Sequence, residues 1–126
     1  MRIRERKLVS RVRLAGKRLH VFEDALIDTG AAFTVLPPEV CDFLELETDG
    51  NLPRARLVTA SGLIETPVKV LERLDTVDVR IERLQIVAHR IPEPAPIKVL
   101  LGMNFIEKVK LIVNGKEGTF DLQDPE

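Results

Sequence analysis

Short apolar or alternating segments, separated by turn signals, run along the whole of this 126-residue chain. Segments of this kind favour β-strands. The turn signals are the LAGKR segment at residues 14–18, Gly50–Pro53, Ser61-Gly62, the proline-rich residues 91–96 and Asn114-Gly115. The Ser-Gly and Asn-Gly pairs predict hairpins, whereas the segments from Pro38 and from Met103 favour short helices. We therefore expect a single, mostly β domain spanning residues 1–126, with one or two short helices.

One predicted strand departs from regular alternation. Val77, Val79 and Ile81 occupy alternate positions, but Leu84 and Ile86 have the opposite parity. A change of parity within a strand requires a local irregularity. We predict a turn or a bulge near residues 82–83.

Charge argues against several classes of partner. The net charge of −1 gives the chain no overall attraction to nucleic acids or anionic membranes. The first eighteen residues hold eight Lys or Arg residues and one acid, Glu5. Their alternation around Val12 and Leu14 favours a strand with a solvated charged face over a nucleic-acid-binding arm. No apolar segment approaches the ~20 residues of a membrane span, so we expect neither a nucleic-acid nor a membrane partner.

Cysteine and histidine usage predicts no metal site. The single cysteine, Cys41, allows no intrachain disulfide and no zinc cluster, and we expect it to be buried or inert. It fits a reducing compartment, so we expect a cytoplasmic protein. His20 and His89 lack the spacing of metal ligands and are interpreted as surface or structural residues. We expect neither a metal nor a cofactor.

The segment LIDTGAAFTVLP, from Leu26 to Pro37, contains the candidate site. Asp28 directly follows an apolar, strand-like run, and burying a carboxylate is costly unless something satisfies it. Thr29 adds a hydroxyl, and Gly30 has no side chain, so a ligand or a second backbone can come close. Asp28 is therefore either a turn residue or a rigidly presented general base that holds a water molecule.

A lone aspartate cannot serve as acid and base at once, whereas two close carboxylates can share one proton. The chain holds no second copy of the motif. Residues 73–81 weakly resemble the Asp-Thr-Gly segment, but Val77 stands in the place of Gly30. A β-branched residue cannot replace glycine there. We therefore expect the second carboxylate to come from a second chain.

This motif resembles the active-site loop of the retropepsin-like aspartic proteases, in which apolar residues precede Asp-Thr-Gly-Ala and Thr-Val-Leu follows. The segment VLLGMNFIEKVKLIV, from Val99, resembles the second hallmark of that family, an apolar strand ending in Leu-Gly before the C-terminal helix. LVTASGLIE lies between them, where the family has its flap hairpin. The resemblance spans about residues 8–122 and implies a single-lobe retropepsin-like barrel.

The resemblance also implies roles for individual residues. Asp28 matches the catalytic aspartate, which activates water together with its counterpart in a homodimer. Thr29 matches the residue that links the two loops across the dimer axis, and Gly30 and Ala31 continue the active-site loop. The residues implied at the flap, over a peptide or protein substrate, are Ala60, Ser61 and Gly62. The implied function is an aspartic endopeptidase, and the alternative is a non-catalytic peptide-binding or assembly module with the same fold.

Some positions differ from the viral members of that family. Ala32 and Met103 stand where those enzymes have an acidic residue and an arginine that pair, so both ends of the ion pair are missing together. Phe33 has two interpretations, as part of a specificity pocket or as core packing. Asn104 is expected to form a hydrogen bond at the start of the second helix.

Overall fold

The computed structural model describes residues 1–59, 62–92 and 95–125. These residues form ten strands: β1 (Val9–Ala15), β2 (His20–Ile27), β3 (Thr34–Leu36), β4 (Ala55–Thr59), β5 (Gly62–Thr66), β6 (Val68–Asp75), β7 (Arg80–Ala88), β8 (Val99–Leu101), β9 (Lys110–Asn114) and β10 (Thr119–Gln123). They also form two short helices, α1 (Pro38–Phe43) and α2 (Met103–Ile106). The expectation of a mostly β chain with one or two short helices is confirmed.

Six of the described strands close into a barrel in the order β1-β2-β8-β3-β7-β6. Strand β1 pairs antiparallel with both β2 and β6, and the latter continues antiparallel into β7. Strands β2 and β8 run parallel, as do β3 and β7. Outside the barrel, β4 and β5 form one hairpin, and β9 and β10 form another.

Alternation along the strands fills the barrel with apolar side chains. In β1, Val12 and Leu14 are buried, whereas Arg11 is exposed and pairs with Asp24 on β2 at 3.4 Å. This confirms the predicted strand with a solvated charged face. The core also holds Phe105 of α2 and Phe120 of β10, and burial of each large apolar side chain stabilises the fold by roughly 1.5–3 kcal/mol.

The predicted irregularity in β7 occurs at Arg83, whose φ is +53°. The pairing register with β6 is the same on both sides of this residue, so no extra residue is inserted. The feature is therefore a local left-handed residue rather than a bulge. Val77, which the alternation placed in the strand, lies in the preceding turn and is 80% exposed.

The Asn-Gly pair forms the predicted hairpin, but its loop is longer than the two-residue turn that this pair usually makes. Residues 115–118 connect β9 to β10, and the Glu117 N–H donates to Asn114 Oδ1 at 3.1 Å. Gly118 takes the positive φ of this loop, +70°. Across the described ranges, no helix has the length and apolar character needed to cross a bilayer.

Candidate active site

The order of three strands determines where the Asp-Thr-Gly segment lies. Strand β8 runs between β2 and β3 in the barrel. Strands β2 and β8 are parallel and end together, with Ile27 paired to Leu101, whereas β3 is antiparallel to β8. Residues 28–33, which connect β2 to β3, must therefore cross over the end of β8. This crossing presents Asp28 at the end of the barrel.

Backbone hydrogen bonds hold this loop to the residues that follow β8. The Asp28 N–H donates to the carbonyl of Leu101 at 2.9 Å. On the other side of the loop, the N–H groups of Met103 and Asn104 donate to the carbonyls of Ala31 and Ala32, at 2.7 and 3.1 Å. The loop is therefore bonded at both ends to one short segment, which favours a rigid presentation of the carboxylate.

Gly102 lies directly beneath the loop. A Cβ added at this position would be 2.4 Å from the carbonyl oxygen of Phe33 and 2.9 Å from that of Ala31. Both neighbours are backbone atoms that take part in the crossing, so they cannot move aside as a flexible side chain would. Glycine is needed here because of this close approach.

A buried polar network anchors the far end of the loop. Thr34 is fully buried, and its N–H and hydroxyl both donate to Asn104 Oδ1, at 2.8 and 2.9 Å. The Thr34 hydroxyl also accepts from the Gly102 N–H at 3.2 Å, and Asn104 Nδ2 donates to the carbonyl of Gln85 at 2.6 Å. Asn104 was expected to bond at its own helix start. Its side chain instead ties α2 to β3 and β7, which spacing along the sequence does not reveal.

The carboxylate of Asp28 is partly exposed, and its Oδ1 accepts the Gly30 N–H at 2.9 Å. The φ of Gly30 is not positive, so the glycine is not required by the turn. A Cβ at this position would instead lie 3.2 Å from Asp28 Oδ1 and would press on the carboxylate. Thr29 is exposed, and its hydroxyl has no hydrogen-bond partner among the described residues.

Asp28 opens into a cleft of about 530 Å³. Gly30 and Ala31 line it too, so three of the predicted loop residues lie together. Its apolar wall includes Phe33, Val35, Leu57, Val58, Ile91 and Leu100. Phe33 also packs against the buried cluster around Val35, which supports core packing, and its role in a specificity pocket stays a prediction.

The hairpin of β4 and β5 stands at one side of this cleft, because Leu57 and Val58 belong to its wall. This is the segment predicted to be the flap. Gly62 begins β5 with a φ of +113°, which suits glycine. Ala60 and Ser61, the other residues predicted there, lie outside the described residues.

Sequence reasoning missed two basic residues of the cleft wall, Arg56 and His89. His89 was interpreted as a surface or structural residue; it is half-buried and follows β7 directly, and its place in the cleft wall is what the sequence did not predict. Its backbone N–H donates to the carbonyl of Leu36 at 3.0 Å. The nearby proline-rich loop was the available signal, since loops at the end of a barrel carry site residues.

The remaining candidates lie away from the cleft wall. Cys41 is buried in the core, and burial raises the pKa of its thiol to about 11, which suits an unreactive residue. His20 packs edge-on against Phe22, with 5.7 Å between the ring centroids. In the part of the chain that the structure describes, no three His, Cys, Asp or Glu side chains are grouped as metal ligands would be.

Comparisons with known proteins agree with this geometry. The sequence profile described as gag-polyprotein putative aspartyl protease matches residues 11–108. A retropepsin-like aspartic protease from Rickettsia conorii has a similar structure, with a TM-score of 0.58 and 18% identity over 90% of this chain and 89% of that one. A Legionella pneumophila protein of unknown function gives a TM-score of 0.49 and 16% identity over 79% of this chain and 83% of that one. No curated protein is significantly similar in sequence. The predicted retropepsin-like barrel is confirmed.

Proposed function

Because the chain belongs to the gag-polyprotein aspartyl protease family, we propose that it is an aspartic endopeptidase whose site is completed by a second copy of the chain. The observation that carries the proposal is the Asp28 carboxylate, which accepts the Gly30 N–H and opens into a cleft of about 530 Å³. Each chain supplies one such loop. Two chains would supply the two carboxylates that this chemistry needs.

The exposure of Thr29 supports a shared site. Its hydroxyl finds no hydrogen-bond partner within the described ranges, whereas the neighbouring Asp28 accepts the Gly30 N–H on its carboxylate and donates its own N–H to Leu101. In the proposed homodimer, Thr29 contacts the loop of the second subunit and fixes the distance between the two Asp28 side chains. We propose that Ala60, Ser61 and Gly62, the residues predicted at the flap, cover a bound peptide or protein substrate.

The proposed reaction needs one proton shared between the two carboxylates. The ionised Asp28 takes a proton from water while the water oxygen bonds to the peptide carbonyl carbon. The protonated Asp28 of the second subunit gives its proton to the carbonyl oxygen. In the second step the C–N bond breaks, and the first Asp28 gives the nitrogen the proton that it took from water. One hydroxyl of the intermediate returns its proton to the Asp28 of the second subunit. Both groups then regain their starting states.

Two consequences follow from a shared proton and a shared site. Activity against pH is a bell, because both carboxylates are protonated at low pH and both are charged at high pH. Specific activity falls on dilution, because the monomer holds half of the site. We further propose a cytoplasmic location, which suits a free buried thiol at Cys41.

The experiment is cleavage of a peptide library by the parent and by Asp28→Asn. This substitution keeps the shape of the side chain and removes the base, so turnover is expected to fall by at least ~10²-fold. Arg90→Gln is a matched control, because Arg90 pairs with Glu39 at 3.0 Å and does not belong to the cleft wall. Equal cleavage by the parent and Asp28→Asn would refute the proposal. Peptide binding without cleavage by the parent would favour the non-catalytic module.

A further inference from the structure

The cleft wall is unevenly charged. Among its described residues, three have ionisable side chains: Asp28, Arg56 and His89. They come from three different parts of the chain: the active-site loop, β4 and the residue that directly follows β7. Ala32 and Phe33, which follow the Asp-Thr-Gly segment in the same wall, are uncharged. Apart from the acid assigned to chemistry, the described wall is therefore apolar and basic.

Arg56 is available to a ligand. Its side chain is 72% exposed, and its Nε lies 3.5 Å from Oε1 of Glu65, the residue opposite on β5. An exposed pair of this kind contributes at most about 1 kcal/mol. Glu65 does not belong to the cleft wall, so a carboxylate inside the cleft can compete for the guanidinium.

The imidazole of His89 is also available to a ligand. Its backbone is fixed by the hydrogen bond to Leu36, but its imidazole bonds to no other described residue. The next residue, Arg90, pairs outward with Glu39 at the start of α1, so that acid does not neutralise the cleft. An imidazole N–H donates readily to a carboxylate whether or not the ring is charged.

We propose that Arg56 and His89 select peptides that carry a glutamate or aspartate beside an apolar residue. The apolar side chain lies against Phe33 and Leu57, and the acidic side chain is received by the guanidinium and the imidazole. This inference rests on the proposed function, since it assigns a substrate class to that same cleft. A ligand carboxylate between two donors is bound more tightly than the neutral amide of the same shape.

The test measures binding in the Asp28→Asn background, so that no peptide is consumed. Fluorescent peptides differing only in Glu, Gln or Lys beside an apolar centre are titrated at pH 6, where a glutamate side chain is ionised. We expect the Glu peptide to bind at least about five-fold more tightly than the Gln peptide, and the Lys peptide to bind most weakly. The ratio should shrink as salt rises.

Two added substitutions test the assignment. Arg56→Gln and His89→Gln should each reduce the Glu-to-Gln ratio, and together they should bring it close to one. Arg90→Gln removes a neighbouring cation outside the cleft wall and should leave the ratio unchanged. The proposal would be overturned if the Glu and Gln peptides bound equally, or if no peptide bound at all. It would also be overturned if the Glu-to-Gln ratio survived both cleft substitutions, or if Arg90→Gln reduced that ratio as much as they do.

This test is separate from the test of catalysis. If the parent protein cleaves peptides but the Asp28→Asn protein shows no Glu preference, the endopeptidase proposal stands and the selectivity proposal fails. If the preference is present but no peptide is cleaved by the parent, catalysis fails and the chain is an acid-selective peptide-binding module.

Discussion

Replacing Thr34 by valine removes one hydroxyl at the anchor of the active-site loop and leaves the shape of the side chain almost unchanged. That hydroxyl donates to Asn104 Oδ1 at 2.9 Å and accepts from the Gly102 N–H at 3.2 Å. Each hydrogen bond contributes about 1 kcal/mol, and the buried N–H of Gly102 is left without an acceptor, which adds to the cost. We expect the free energy of unfolding to fall by about 2–3 kcal/mol.

Urea denaturation measures this loss. With an m-value of about 1.5 kcal/mol/M, the midpoint should fall by roughly 1.3–2 M. All variants are compared at one protein concentration, because association changes apparent stability. Peptide cleavage by Thr34→Val should also fall, since the hydrogen bonds of Thr34 hold the loop that presents Asp28.

Thr34→Ser is the matched control because it keeps the hydroxyl and removes only a methyl group. Its cost is expected to be about 1 kcal/mol, from lost apolar burial. The reasoning is refuted if Thr34→Val is as stable as the parent, or if the serine variant loses as much as the valine variant.

Three further substitutions test other parts of the account. Gly102→Ala should give little folded protein, or lose at least about 3 kcal/mol of stability in thermal unfolding. The reason is that the added Cβ would lie 2.4 Å from the Phe33 carbonyl oxygen. A melting temperature equal to that of the parent would contradict this. Gly30→Val should abolish peptide cleavage while leaving the fold intact by circular dichroism, because the valine side chain displaces the Asp28 carboxylate. Full activity of this variant would show that the loop is not catalytic. The raised pKa of the Cys41 thiol means that the native state keeps a proton that the unfolded chain loses. Stability should therefore fall between about pH 9 and pH 11 in the parent relative to Cys41→Ala, and parallel curves would contradict the burial argument.

The parts of the fold predicted most closely are those with local signals. The alternation around Val12 and Leu14 identified β1, and Pro38 marked the start of α1, because period and turn chemistry act over a few residues. The alternation also located the irregularity at Arg83. It did not reveal that the register is kept, because register depends on the partner strand.

The site was predicted less completely. The position of Asp28 followed from the motif. The need for a glycine at position 102 depends on which strands are neighbours. The Thr34–Asn104 contact joins residues 70 positions apart. Arg56 and His89 carry no local motif, and they share a cleft only because the β4–β5 hairpin, outside the barrel, lies beside the residues that follow β7. Long-range pairing, rather than propensity, decides all three features.

The measurement that tests the shared site most directly is subunit mixing. Parent and Asp28→Asn chains are mixed in varying ratios at constant total concentration, allowed to exchange by dilution and reconcentration, and assayed for peptide cleavage. If one site needs Asp28 from two chains, activity follows the square of the parent fraction, and an equal mixture retains about a quarter of the parent activity. A linear dependence, with half of the activity in an equal mixture, would show that each chain holds a complete site and would contradict the account.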